Sequence, residues 1–234
     1  MLRKASIVAL FLVLPVAANA VIIGGVVTSG TGSFIELTLP FNPPNGLPNE
    51  VGQNTFDLPD LFAFNEGQNL TLLAPLDVNI LAGGGSGQLG TGTVVASHYV
   101  FFDPGPNTAQ IGHVDFDADI LGIITSTTLL ALSDPLLINN NVIYLNPGLR
   151  GLEGGDSAII DPGNANRVLV NWRASSPGDF VRVLTEFSQG GTDPCATNPP
   201  GTGGCPAGSV PEPTTLLLLG LGLAGLGFAR KRLH

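Results

Sequence analysis

The chain has 234 residues, including 32 glycines and 19 prolines, and a net charge of −9. Between residues 21 and 209 it carries four arginines, no lysine and 17 acidic residues, which gives this part a net charge of −13. Binding to a phosphate backbone requires clustered lysine and arginine side chains, so nucleic acid is excluded as a partner. The acidity favours solubility after export, and an anionic polysaccharide would be repelled unless divalent cations bridged the two.

Residues 1–20 have the pattern of a secretory signal peptide. A basic start is followed by the apolar residues 5–16. Ala18 and Ala20 supply the small-x-small pattern of a cleavage site, which leaves Val21 as the mature N-terminus. An uncleaved membrane anchor is the alternative interpretation of this segment.

Residues 21–190 are predicted to form a single all-β domain, because short apolar runs bounded by Gly, Pro or Asn recur along them. Residues 126–132 fit either one helical turn or a loop. Frequent Gly and Pro without a long amphipathic period indicate a β-sandwich, and a jelly-roll-like arrangement is the first choice. The predicted strands are 21–27, 34–39, 69–73, 78–81, 91–102, 111–116, 120–125, 142–145, 157–160, 167–173 and 180–187.

The strand at residues 91–102 has apolar side chains on both faces, which is typical of a central strand. His98 shares one of these faces, so we expect a buried, hydrogen-bonded histidine. Trp172 alternates with Val168 and Val170 on another strand. This pattern favours a place in the core over an aromatic platform for sugars.

Three acidic residues alternate in the sequence Asp115, Asp117 and Asp119. An EF-hand loop would require Gly at its sixth position and Glu at its twelfth, where this chain has Ile120 and Ser126. In a strand the three carboxylates would span about 13 Å, which is too far for one ion. A solvated strand face is the simpler interpretation. A Ca²⁺ site that uses Asp115 and Asp117 with a loop acid is the alternative.

Patterns typical of enzymes are few. The glycine-rich residues 85–90 match G-x-G-x-x-G, but a predicted strand follows them, so no helix N-terminus is available for a phosphate. Ser157 lies beside Asp156, while its candidate bases His98 and His113 are distant in sequence. We therefore predict no enzyme and no cofactor, Ca²⁺ excepted. A module that binds Ca²⁺ or carbohydrate stays open, as does an extracellular hydrolase with a dispersed carboxylate pair.

Residues 191–209 form a linker rich in Pro, Gly and Thr that contains both cysteines, Cys195 and Cys205. Export places these thiols in an oxidising compartment, so we expect a disulfide. Closing so short a loop removes roughly 2.5–3 kcal/mol of unfolded-chain entropy. A two-cysteine metal site is the alternative, although no histidine or third cysteine lies nearby.

Residues 210–234 form a tail with three parts. The uncharged run at residues 214–229 would cover roughly 24 Å as a helix, a little less than the ~30 Å hydrocarbon core of a membrane. The positive-inside rule keeps the basic residues after this run in the cytoplasm. The motif before the run is Pro211, Glu212 and Pro213, and the basic stop after it is Arg230, Lys231 and Arg232.

This tail closely resembles the PEP-CTERM signal of bacterial exported proteins. The resemblance implies recognition by exosortase, an integral-membrane enzyme that cleaves near the motif. It also implies transient anchoring in the inner membrane through the C-terminal helix, followed by delivery to the cell surface or the medium. Proteins with this tail are linked to exopolysaccharide and biofilm. We therefore predict a non-enzymatic surface or extracellular-matrix protein.

Several blocks of the central domain look like blocks that recur in uncharacterised PEP-CTERM proteins. This resemblance supports one compact domain and implies no catalytic or binding residue. The blocks are 61–69, 97–104, 114–117 with 120–123, 150–153 and 176–179 with 181–183.

Overall fold

The computed structural model describes residues 20–186, which contain fifteen strands, one α-helix and a short 3-10 turn at Pro147–Leu149. The helix is α1 (Thr127–Leu137). No helix in this range is long and apolar enough to cross a membrane. The strands are β1 (Ile22–Ser29), β2 (Phe34–Glu36), β3 (Glu50–Val51), β4 (Leu61–Asn65), β5 (Leu70–Thr71), β6 (Leu76–Val78), β7 (Ile80–Leu81), β8 (Gly87–Leu89), β9 (Val94–Phe102), β10 (Thr108–Phe116), β11 (Ile120–Ile124), β12 (Ile143–Tyr144), β13 (Ser157–Asp161), β14 (Asn164–Ala174) and β15 (Asp179–Glu186).

Two large sheets organise these strands. An antiparallel four-stranded sheet has the order β1-β10-β14-β13. A seven-stranded sheet has the order β2-β4-β9-β15-β11-β7, with β5 also paired to β9. Two small pairs, β3 with β12 and β6 with β8, complete the pattern. The long strand β9 therefore lies inside the larger sheet, as its two apolar faces predicted.

One hydrophobic core lies between the two large sheets. Alternate residues of β10 and β14 point inward and meet side chains from β4, β9, β11 and β15. Trp172 is only 1% exposed in this layer, which confirms its predicted place in the core. Its members include Leu61, Phe102, Phe116, Ile123, Val170 and Trp172.

A second core covers the opposite face of the seven-stranded sheet. Its centre is a group of aromatic rings, in which Phe101 stacks on Phe62 at 5.1 Å and on Phe180 at 5.6 Å between ring centroids. Leu130 and Leu137 of α1 pack onto the same layer. The larger sheet is thus buried on both faces, which explains why its central strands are almost continuously apolar.

The helix α1 is longer than the single turn that the sequence allowed. Ser126 caps it by accepting a hydrogen bond from the Leu129 N–H at 3.4 Å, which satisfies one of the unpaired groups of the first turn. The helix continues past Pro135 to Leu137 because two of its leucines are buried against the sheet. Tertiary packing, rather than the local pattern, therefore sets its length.

The prediction of an all-β chain is confirmed for the described residues. Their strands are divided unequally between a four-stranded and a seven-stranded sheet. A simple jelly roll has eight strands in two sheets, so this fold has more strands and a less symmetrical arrangement. The extra strands and α1 form the added layer over the second core. Residues 1–19 and 187–234 lie outside the described part, so the signal peptide, the linker and the sorting helix remain predictions.

Candidate functional site

A group of charged side chains is buried between α1 and the seven-stranded sheet. Glu66 follows β4 and Arg182 lies in the middle of β15, and both side chains are fully buried. The guanidinium of Arg182 holds Glu66 with two hydrogen bonds, from Nε at 2.6 Å and from Nη2 at 2.8 Å. This bidentate geometry gives a buried carboxylate the charge-assisted partners that it requires.

The helix contributes a second carboxylate to this group. Asp134 of α1 accepts a hydrogen bond from Arg182 Nη2 at 3.0 Å, and it also forms an ion pair with Arg150. Ser97 donates to Glu66 at 2.6 Å, and Arg182 Nη1 donates to Ser133 at 2.5 Å. Two cations and two anions are thus balanced, and together they tie α1 to the sheet.

Two tyrosines surround the arginines of this network. The Arg182 guanidinium lies 5.7 Å from the centre of the Tyr99 ring, and that of Arg150 lies 5.7 Å from the Tyr144 ring. Burial raises the pKa of both tyrosine hydroxyls. Both phenols therefore stay protonated and act as cation–π partners rather than as bases.

The geometry of this network suits packing rather than catalysis. The Glu66 carboxylate accepts hydrogen bonds from Arg182 and Ser97 and is closed to solvent. Neither Glu66 nor its partner Arg182 exposes any side-chain surface to a substrate. Sequence reasoning missed this group, although Glu66, Ser97, Arg150 and Arg182 each fall in one of the recurring blocks described above. An arginine inside the apolar run of β15 was the available signal.

Two further acids are buried where β9 ends and β15 begins. Asp103 accepts hydrogen bonds from the N–H groups of Asn54 and Phe56, each at 3.1 Å, and burial raises its pKa to about 6. Asp179 is 1% exposed, and neither carboxylate oxygen has a hydrogen-bond partner among the described residues. Its carboxyl therefore lacks the stabilisation that Asp103 receives.

The environment of Asp179 disfavours its charged form. Burial, and then the negative charges of Asp156 and Glu153, raise its pKa to about 7. The backbone N–H of Glu153 offsets part of this rise, but it makes no hydrogen bond of good geometry. An acid in such surroundings carries a proton near neutral pH or requires a cation.

The acids that the sequence singled out as weak metal candidates have different partners. Asp115 forms a bidentate ion pair with Arg167, with an Nε–Oδ1 distance of 2.6 Å. Asp117 accepts a hydrogen bond from the backbone N–H of Val21 at 2.8 Å. Within residues 20–186, no three His, Cys, Asp or Glu side chains are arranged to hold a metal ion.

The candidate hydrolase residues are not brought together. His98 is fully buried in the core, where its ring nitrogens lie 2.7 Å from Asn65 Oδ1 and 3.1 Å from Thr185 Oγ1. Burial lowers its pKa to about 3, so the ring is neutral, as expected of a buried, hydrogen-bonded histidine. Ser157 is exposed on β13, and Asp156 accepts the backbone N–H of Arg173.

An open cleft of about 530 Å³ lies between the edges of the two sheets, and residues 80–85, which end at the first glycine of the glycine-rich segment, form one of its walls. Residues of β13 and of the turn that follows it form the other wall. The cleft is mainly apolar, with Ile80, Leu81, Ile159 and Ile160 among its lining residues and Asp161 as its charged one. A strand follows the glycines, as predicted.

The remaining site predictions lie at the ends of the chain. Ala20 is described and buried, whereas Ala18 lies outside the described residues. Cys195 and Cys205 lie outside them too, as do the motif Pro211, Glu212 and Pro213 and the basic stop Arg230, Lys231 and Arg232. The proposed disulfide and both cleavage sites therefore remain predictions.

Comparison with known proteins gives one match, and it falls in the tail. No curated protein and no solved structure matches the chain. Residues 209–232 match the family model of the PEP-CTERM protein-sorting motif. The chain therefore carries the PEP-CTERM sorting tail of exosortase-processed proteins.

Proposed function

We propose that this protein is a non-enzymatic component of the cell surface or the extracellular matrix, which reaches its place through cleavage at both ends. The observation that carries the proposal is the sorting motif, which implies export and processing by a membrane exosortase. The acidic central domain then lies outside the cell. Association with exopolysaccharide fits this destination, with divalent cations bridging the two negative charges.

The processing steps follow from the two ends of the chain. The signal peptide is cut after Ala20, and the run at residues 214–229 then holds the protein in the inner membrane. Exosortase cuts near Pro211–Pro213 and releases or attaches the domain at the surface. A disulfide between Cys195 and Cys205 compacts the linker that joins the domain to the tail.

The charged network buried in the central domain supports a non-enzymatic role, because its side chains pair with one another. The buried network of Glu66, Arg182, Asp134 and Arg150 is internally balanced and closed to substrate. The histidine in the core is held between Asn65 and Thr185. These side chains stabilise the fold, and their geometry favours a structural role.

Intact-mass analysis of the extracellular protein from its native host tests the proposed processing. We expect a chain that begins at Val21 and ends near Pro211–Pro213. Replacing Pro211, Glu212 and Pro213 together by alanine should hold the protein in the membrane fraction. Replacing Pro199 and Pro200 in the linker by alanine is the matched control and should leave release unchanged. An extracellular chain with an intact C-terminus would contradict exosortase processing.

Deletion of the gene tests the proposed place in the matrix. We expect altered aggregation or biofilm texture, restored by the wild-type gene but not by the variant without the sorting motif. A matrix that is unchanged in the deletion strain would count against the proposal. Isolated matrix should also release the protein when divalent cations are chelated.

A module that binds Ca²⁺ is the second candidate, and one observation favours it. Both oxygens of the buried Asp179 lack a partner, while Asp156 and Glu153 add negative charge nearby. A divalent cation would satisfy this carboxylate, but its other ligands would have to be backbone oxygens or water, because no three acidic side chains of residues 20–186 are arranged to hold a metal ion. Calorimetric titration with Ca²⁺, with and without polysaccharide, separates the candidates. A saturable heat in wild type that Asp179→Asn abolishes would favour Ca²⁺ binding. If wild type gives no saturable heat, the purely structural role is favoured.

A further inference from the structure

The residue that becomes the mature N-terminus lies directly against a carboxylate. The backbone N–H of Val21 donates to Asp117 Oδ1 at 2.8 Å, and the Asp117 N–H donates to the Val21 carbonyl at 3.1 Å. The next residue, Ile22, pairs with Phe116 at the start of the β1–β10 ladder. These reciprocal bonds hold Val21 directly before the first residue of β1, which is an edge strand of the four-stranded sheet.

Cleavage after Ala20 changes the charge of this nitrogen. In the uncut chain the nitrogen belongs to a peptide bond, and after the cut it is an α-ammonium. We infer that Asp117 is the acceptor of the mature N-terminus, so that removal of the signal peptide creates an ion pair that fastens β1 to β10. The inference rests on the proposed cut after Ala20 and adds a structural consequence to it.

The charges around this end of the sheet also favour an ammonium. Two further acids, Asp119 and Glu186, follow Asp117 at this end of the sheet. The backbone N–H of Glu186 donates to the Asp119 carbonyl at 2.8 Å. Asp115, the neighbouring acid on β10, is neutralised by Arg167, and its Oδ2 lies 3.5 Å from His113 Nε2. Asp117 itself is exposed and has no cation as a hydrogen-bond partner among the described residues. The new N-terminus would supply that cation.

The composition of the chain makes this amine easy to observe. No lysine occurs between residues 21 and 230, so Lys231 in the tail is the only other primary amine of a chain that starts at Val21. Once exosortase has removed the tail, the α-amine is alone. A limiting amount of an amine-acylating reagent therefore reports on Val21, and Lys231 is an internal reference in a chain that keeps its tail.

The test uses the full chain, expressed with its own signal peptide in an exporting Gram-negative host. Wild type is compared with Asp117→Asn and with the matched control Asp119→Asn, after intact mass has identified the N-terminus. An α-amine ordinarily titrates near pH 7.7–8.0, and an adjacent carboxylate keeps it protonated to higher pH. At pH 7 we expect the wild-type amine to be acylated about two- to fivefold more slowly than in Asp117→Asn, the range of an exposed ion pair.

The same experiment distinguishes an effect of the Asp117 charge from steric shielding of the amine. It also distinguishes failure of the ion pair from failure of the proposed cut. At pH 10 the rates of wild type and Asp117→Asn should converge, because both amines are then deprotonated. Asp119→Asn removes only a more distant charge, so its rate at pH 7 should lie much closer to that of wild type than to that of Asp117→Asn. A second variant, with Gly-Ser inserted after Ala20, should be acylated at pH 7 as fast as Asp117→Asn. Equal rates at pH 7 in chains that begin at Val21, or a difference that persists at pH 10, would overturn the ion pair alone. A mature chain that begins elsewhere would overturn the proposed cut and the ion pair together.

Discussion

Replacing Arg182 by methionine is expected to destabilise the domain by about 3–5 kcal/mol, because it leaves the buried Glu66 carboxylate without its cation. Glu66→Gln should cost less, since Arg182 still pairs with Asp134 at 3.0 Å. The double variant should recover part of the loss caused by Arg182→Met alone, because the uncompensated charge is then absent. Urea denaturation of the mature protein measures each free energy of unfolding.

Arg167→Met is the matched control for this prediction. Arg167 also forms a bidentate ion pair, with Asp115, but on the outer surface of the four-stranded sheet, where water competes with the interaction. We expect only a small change in the free energy of unfolding. An Arg182→Met variant as stable as Arg167→Met would contradict the stabilising role of the buried network.

Replacing Asp179 by asparagine is expected to change the pH dependence of stability in Ca²⁺-free buffer. The pKa of Asp179 is raised to about 7 in the folded state, against about 3.9 for an unfolded aspartate. Between these values the folded state keeps a proton that the unfolded state releases, so wild-type stability falls as pH rises from about 4 to about 7. The integrated loss is roughly 4 kcal/mol and is complete above pH 7.

The Asp179→Asn variant lacks this titration, so its stability relative to wild type should rise by roughly 4 kcal/mol between pH 4 and pH 8. Asp103, whose pKa is raised to about 6, titrates in both proteins, and its contribution cancels in the comparison. Asp119→Asn serves as the control, since it makes the same substitution at an exposed aspartate. Parallel stability curves for wild type and Asp179→Asn would contradict a protonated, buried Asp179.

The main features of the central domain were predicted from the sequence because they depend on local patterns. Apolar residues on both faces of residues 91–102 predicted a central strand, and β9 has that position. Alternation with Val168 and Val170 placed Trp172 in the core. One short strand was predicted wrongly: residues 78–81 are divided between Val78, the last residue of β6, and the strand β7, and these two strands pair with different partners.

Local sequence patterns could not predict the helix or the buried ion network. Residues 126–137 contain a proline and no regular amphipathic period, so only burial against the sheet decides that they are helical. Glu66 and Arg182 are separated by 116 residues, and no spacing rule connects residues that far apart. Their pairing depends on which strands become neighbours in the larger sheet.

By itself, the sequence determined that this chain carries a signal for export and sorting, because such signals are short, contiguous and read by other proteins before or during export. It also determined the all-β character of the domain, because side-chain alternation along each strand is a local property. Only the tertiary structure decided which acids are neutralised by arginine and which, like Asp179, are buried without a partner. The reason is that desolvation and ion pairing depend on neighbours in space, which sheet pairing brings together from distant parts of the chain.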